Sequence, residues 1–307
     1  MANSFGTLSV AVLALRVMAG IKKRFPQLAL VATDLSDGQA DFGQPIIAKV
    51  VTVPTVSDYH ATNGYVPGDA ATVDVPVTID KHKHVSLSFG EQEMSGTKRN
   101  LVDEQVDAAA YALGRQVLVD LGALITVANF PVAQETVKTV ANSDRAALTA
   151  MRKVLGTRGA PPIGRYALVN SDVFEVMSND AKITSSDYVG ENKPDMVGGV
   201  LRNVSGFEQV VEWPEMPTGE SLTGFAATKD ALVVASRIPK DPALLVKGLN
   251  IPGTIEVFTD AATGMSLMGR YFYDMKLGKL QLTLTWMYGV AKGVANHGQR
   301  LVTAANV

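Results

Sequence analysis

The chain has 307 residues, 47% hydrophobic and 19% charged, with mean hydropathy +0.13, a formal net charge of −2 and a pI near 6.1. That length can bury a sizeable core, in one large domain or two ordinary ones. No basic surplus marks a specific nucleic-acid binder, and the absence of cysteine rules out a disulfide framework, a thiolate metal site and a cysteine nucleophile.

A chain without cysteine suits assembly in a reducing cytoplasm. The apolar run Leu8 to Leu15 is followed, not preceded, by Arg16, Lys22, Lys23 and Arg24. That order is wrong for a secretory signal, and the run is far short of the ~20 residues that span a bilayer. It reads as an amphipathic helix with Leu8, Val12, Leu15 and Ala19 on one face. Residues 26–45, with Asp34, Asp37, Gly38, Asp41 and Gly43, read as an irregular arm, either a leader or a segment laid across a partner.

From Ile46 the period changes to two. Ile47, Lys49, Val51 and Val53 alternate with Ala48, Val50, Thr52 and Pro54, and after a turn-rich loop Val73, Val75, Val77 and Ile79 alternate with Asp74, Pro76, Thr78 and Asp80. Pro76 cannot donate to a ladder, so its strand is expected at an edge. Residues 46–90 thus form a long β-hairpin with no evident hydrophobic partner in its own chain. Because an isolated two-stranded hairpin is marginal in water, another copy of the chain is expected beneath it. Tyr59, His60 and Tyr65 near its tip are the candidate intersubunit contacts, since tyrosine buries much area at low entropic cost.

Residues 101–128 carry apolar side chains at Val102, Val106, Ala109, Ala110, Leu113, Val117, Leu121, Leu124, Ile125 and Ala128, the stripe of a helix about 40 Å long. Asn100 is the expected N-cap and Pro131 the far limit. The segment 143–238 alternates short helices and strands: a helix capped by Ser143, the buried strand Arg165–Val169, a helix from Ser171, and a strand at Val210 and Val211. After residue 254 the chain reads as a β-meander, its last strand alternating Leu280, Leu282, Leu284, Trp286 and Tyr288 with Gln281, Thr283, Thr285 and Met287.

Catalytic signatures are missing: no P-loop, GxGxxG after a strand, HExxH, GxSxG or EF-hand loop occurs. His82 and His84 would share one strand face as half of a metal site, but no third ligand can be named, and two exposed strand residues among lysines is the plainer reading. Ser95-Gly96-Thr97-Lys98 has the S-x-x-K spacing without its companion motifs, and reads as loop ahead of the long helix. Lys22-Lys23-Arg24 gives at most weak, salt-sensitive phosphate binding. No catalytic residue, cofactor or metal is nominated.

The order of elements resembles that of Hong Kong 97-type major capsid proteins of tailed phages, an α+β fold with a long spine helix, an extended β-hairpin loop, an axial α+β subdomain and a C-terminal β-meander. Arg165-Tyr166-Ala167-Leu168-Val169-Asn170 resembles the family's axial strand and helix, and Ser205-Gly206-Phe207-Glu208-Gln209-Val210-Val211 leading to Met216-Pro217 its glycine, aromatic, strand and proline passage. Phe225-Ala226-Ala227 through Ala235 is similar to a strand-to-helix segment of such proteins.

The resemblance implies an N-terminal helix and arm (1–45), an extended loop (46–90), a peripheral domain (91–142 and 248–307) and an axial domain (143–247). It implies a non-enzymatic shell subunit of the virion, assembled in the host cytoplasm, whose partners are itself in pentamers and hexamers. Portal and scaffolding proteins, optionally a decoration protein, and double-stranded DNA packaged without sequence-specific binding complete the set; no membrane is implied. With no helical segment ahead of the hairpin of the kind some members cleave off, a separate scaffolding protein or none is expected. An encapsulin-like cargo compartment and, more remotely, a cytosolic enzyme with its site in 143–247 are the alternatives; identifying a shell's contents, packaged DNA or an enzyme cargo, separates the capsid from the cargo compartment.

Overall fold

The structure is a computed structural model and describes residues 17–21, 25–51, 56, 58–59, 61–62, 72–90, 101–184, 200–240, 254–259 and 265–306. In chain order these form β1 (Ala32–Ala40), β2 (Pro45–Val51), β3 (Thr72–Thr78), β4 (Lys81–Gly90) and the helix α1 (Leu101–Gly122). Then come β5 (Glu135–Val137), α2 (Arg145–Thr157), β6 (Arg165–Val169), α3 (Ser171–Asn179), the short α4 (Ala181–Thr184), β7 (Val200–Val204), β8 (Phe207–Glu212) and β9 (Leu222–Thr228). Finally β10 (Leu232–Pro239), β11 (Thr254–Thr259), β12 (Ser266–Asp274), β13 (Lys279–Lys292) and β14 (Gly298–Val302) follow. Apart from the two-stranded β2–β3 ribbon, the described residues form two six-stranded sheets.

The first sheet is organised on β13. One edge of β13 pairs with β4 through residues 279–288; the other is shared by β12 along its first part and β10 along its second. β11 and β1 complete the two ends. The period-two alternation sends Leu282, Leu284, Trp286 and Tyr288 to one face, where they join Phe89, Leu267 and the α1 residues Ala110, Leu113, Val117, Leu118 and Leu121 in one core. Each large side chain fully buried there contributes about 1.5–3 kcal/mol.

Ala109, Ala110, Leu113, Val117, Leu121 and Ile125 are buried as the stripe predicts, but the helix stops at Gly122, nine residues before Pro131. Gly122 is where Pro217 and Trp213 press against the helix: a Cβ there would lie 2.9 Å from Pro217 Cδ. The chain then turns, with Asn129 Nδ2 donating to the Leu124 carbonyl at 2.8 Å. Asn100 and the side chains of Val102 and Val106 lie outside the described residues. Residues 17–21 are helical, but Ala19 is exposed while Val17, Met18 and Ile21 are buried. The contact with α1 runs through Gly20, whose missing Cβ is 3.3 Å from Ala110 Cβ, and that close approach sets the buried face.

The second sheet has the order β5-β14-β9-β6-β8-β7. Alternate residues of β6 face opposite cores: Ala167 and Val169 meet Leu148, Met151 and Leu155 of α2 and Val173 and Met177 of α3, while Tyr166 and Leu168 face the core around α1. Burial on both faces is why Arg165–Val169 reads as a continuous apolar run. β7 and β8 are joined by Ser205 and Gly206, both at positive φ (51° and 84°), a two-residue turn of the kind that matches strand twist. β5 from residues 91–142 and β14 from 248–307 pair in this sheet, while β10 from 143–247 pairs in the other.

Three local expectations are corrected. Residues 32–40 are not an irregular arm but β1, parallel to β10; Arg237 fixes it through Asp34 Oδ2 at 2.9 Å, and a bulge between Leu35 and Gln39 absorbs the turn-forming residues. The N-cap of α2 is Asp144, which accepts from Ala146 N at 2.9 Å, while Ser143 donates to the Thr139 carbonyl. Leu232–Pro239 is a strand, not a helix, because β1 and β13 flank it and take its backbone hydrogen bonds.

Candidate intersubunit surfaces

The β2–β3 ribbon leaves the first sheet at an elbow. Val75, Val77 and Ile79 alternate inward and are buried against Ala40, Val233, Ala235 and Met287, whereas Asp74, Pro76 and Thr78 face outward. The expectation that the hairpin has no hydrophobic partner in its own chain is therefore overturned at its base. Gly289 makes the crossing possible: the Thr78 carbonyl occupies the space a Cβ would need. Gly43 N donates to the Ile79 carbonyl at 2.7 Å, Ile79 N to that of Gln44 at 3.1 Å, and Asp41 pairs with Lys240 at 2.7 Å. Pro76 sits opposite Ile47 in an edge strand, and among the described residues β3 pairs with β2 alone.

Beyond the elbow, Val56 is 93% and Tyr59 61% exposed, and Asp58 is exposed beside them. His60 and Tyr65, the other two candidate contacts, lie outside the described residues, as do Lys22-Lys23-Arg24 and Ser95–Lys98.

The face of the first sheet away from α1 is a second surface. Register places His82, His84 and Ser86 of β4 beside Thr283 of β13 and Arg270 and Phe272 of β12, with Ser86 and Thr283 hydroxyls 2.9 Å apart. The two histidines share a face, as the alternation predicts, and both are exposed. Among the described residues no group of three His, Asp or Glu is placed to hold a metal ion. Burial, then the Arg270 charge, then His84 hold the His82 imidazole below its usual pKa. Arg270 was not singled out by sequence, because a lone arginine in a strand carries no pattern; its Nε is buried without a hydrogen bond.

A third surface is the β12–β13 turn. Asp274 Oδ1 accepts from the amides of Lys276 (2.9 Å) and Leu277 (3.2 Å), and Gly278 takes φ +60°, leaving Met275 89% and Leu277 60% exposed. Their isolation in a polar turn is a sequence signal that periodicity alone passes over.

Behind these surfaces lies a stiff frame. Fully buried Arg300 reaches Glu135 at 2.7 Å and Glu220 at 2.6 Å, and Glu220 also accepts from Val127 N at 2.7 Å, tying β14 to the segment after α1. No helix among the described residues is long and apolar enough to cross a membrane.

No family model and no curated protein matches the sequence. Among solved structures the chain is similar to the capsid of the cyanophage P-SCSP1u, at 11% identity over 90% of this chain and 87% of that one, with a TM-score of 0.57. It is similar also to a chain of the satellite phage P4 procapsid (8% identity, 94% and 90% covered, TM-score 0.54) and to one of Mycobacterium phage Che8 (17%, 92% and 89%, 0.51). Likeness at such low identity and nearly full coverage speaks to the fold, and the α+β fold of this chain is the Hong Kong 97-type capsid fold of tailed phages.

Proposed function

We propose that the chain is the major capsid protein of a tailed phage. It is a structural, non-enzymatic subunit that joins copies of itself in pentamers and hexamers, and through them builds the icosahedral shell around a double-stranded DNA genome. The carrying observation is the β2–β3 ribbon, anchored at its elbow and paired with no further strand among the described residues, on a fold similar to capsid structures. A two-stranded ribbon is marginal in water, and neighbouring copies supply the surface it lacks.

Residues 46–90 are then the extended loop, 91–142 and 248–307 the peripheral domain, 143–247 the axial domain and 1–45 the N-terminal helix and arm. Assembly takes place in the host cytoplasm and the product is the virion shell; portal and scaffolding proteins, and optionally a decoration protein, are its further partners. A near-neutral subunit repeated many times makes a wall to which packed DNA adheres weakly and without sequence preference.

Negative-stain microscopy and analytical ultracentrifugation of the purified protein test the reading. Closed shells or capsomers are expected; a compact monomer at every concentration and salt level overturns it. Replacing Val56–Gly68 by an Asn-Gly turn keeps the flanking strands paired and is expected to leave a folded subunit that builds few or no shells.

A further inference from the structure

We propose that the face of the first sheet away from α1 carries an oxyanion site, in which Arg270, His82 and His84 hold a phosphate group beside the hydroxyls of Ser86 and Thr283. The inference concerns the single subunit and does not depend on the shell reading above.

Strand register brings the groups together. Ser86 of β4, Thr283 of β13 and Arg270 of β12 lie in one row across three adjacent strands, and the Ser86 and Thr283 hydroxyls are 2.9 Å apart. In the next row His84 lies opposite Thr285, and Thr285 opposite Met268. Arg270 Nη2 reaches the Met268 sulfur at 3.5 Å, so the guanidinium leans out of its own row into that of His84. His82 follows on the same face, opposite Met287. It is near enough to Arg270 that the guanidinium charge adds to burial in lowering the imidazole pKa.

This positive cluster is unbalanced among the described residues. Asp274, the carboxylate of matching alternation on β12, is turned to the amides of Lys276 and Leu277 at the strand end. Asp80, two residues before His82, is paired with Lys81 at 3.1 Å. Arg270 Nε is buried without a hydrogen bond, and the thioether that meets Nη2 is a weak acceptor. A buried donor without an acceptor is costly, and imidazoles beside a guanidinium repel it once protonated. One bound oxyanion relieves both.

The donor set selects the anion. A guanidinium fork matches two oxygens of a carboxylate or a phosphate. Here the fork stands with two imidazoles and two hydroxyls drawn from three strands, so the donors do not share one plane. A tetrahedral phosphate has acceptor oxygens in several directions and satisfies more of them than a planar carboxylate does. Free phosphate and the phosphodiester backbone of DNA present this same chemistry.

Titration calorimetry of the full-length, unassembled chain with inorganic phosphate, in chloride buffer at constant ionic strength, tests the site. Wild type is expected to bind phosphate, Arg270→Gln to bind tenfold or more weakly, and Ser88→Ala, on the same face beyond the cluster, to bind as wild type. No phosphate binding by wild type, or equal binding by Arg270→Gln, overturns the proposal. Should Arg270→Gln fail to fold, His84→Gln at its exposed position decides: a threefold or greater loss supports the site and unchanged binding overturns it. A short DNA duplex at the same salt identifies the source, since backbone binding is salt-sensitive. Duplex that displaces phosphate from wild type, with its own binding weakened by Arg270→Gln, supports the site with the DNA backbone as ligand. Arg270-dependent phosphate binding that duplex leaves undisturbed supports it with free phosphate as ligand.

Discussion

The hydroxyl of Tyr288 donates a 2.6 Å hydrogen bond to Asp120 Oδ2, so that the central strand of one sheet is held to the long helix by a polar bond inside an apolar interface. Tyr288 is fully buried, and Asp120 is oriented from its own helix by Gln116 Nε2 at 3.0 Å. Burial first, then the Asp120 bond and charge, push the tyrosine pKa well up, so it remains a donor across the physiological range.

Tyr288→Phe keeps the ring in the core and strips the donor from a half-buried carboxylate. Hydrogen bonds to charged groups are worth about 1.5–3 kcal/mol, so urea unfolding of the unassembled subunit should show a loss of that order. A change under about 0.5 kcal/mol would mean that Gln116 and water already satisfy Asp120.

Gly289→Ala sets a methyl group against the Thr78 carbonyl, which is backbone and cannot swing aside. Overpacking of this kind costs about 1–3 kcal/mol, and here the strain falls where the ribbon leaves the body. Hydrogen exchange should rise in β3 more than in α1, and shell yield should fall further than stability alone explains. Equal, small changes in both elements would show that the crossing yields without consequence for the hairpin.

Arg300→Met leaves Glu135, whose side chain is 2% exposed, without its cationic partner, with the Asn306 amides still donating to it. Breaking a buried pair from one side costs about 3–5 kcal/mol, whereas replacing both members with apolar groups is often close to neutral. The single variant is expected to be poorly soluble, and Arg300→Met with Glu135→Leu to regain most of the loss. Thermal melts of the two variants check this, and a double variant no better than the single one contradicts it.

His82 titrates lower in the folded chain than in the unfolded one. The unfolded state therefore binds the extra proton first, and the stability present above the ordinary histidine pKa of about 6.5 is lost as pH falls through the folded pKa. His82→Gln should make the melting temperature of the subunit fall less between neutral pH and pH ~5. An identical slope in wild type and variant would assign that pH dependence to other groups.

Local periodicity was enough for the elements that bury one face or two. The stripe on α1, the alternation in β3, β4 and β13, the doubly buried β6 and the edge placement of Pro76 were all legible, because burial acts on every second residue of a strand or every third and fourth of a helix. Their order was enough to bring the fold into view. For the surfaces, the exposure of Tyr59 and the shared face of His82 and His84 could be read, while Arg270 and the exposure of Met275 and Leu277 were not singled out. What only the tertiary structure decided is where one segment meets another distant in sequence. β1 is a strand because the edge of β10 is there to pair with it; α1 ends at Gly122 because Pro217 and Trp213 arrive there; the hairpin has a footing because Gly289 leaves room for Thr78. Arg300 likewise finds Glu135 and Glu220 across 165 and 80 residues of chain. Such contacts depend on the shape of the whole, and no window of neighbouring residues contains it.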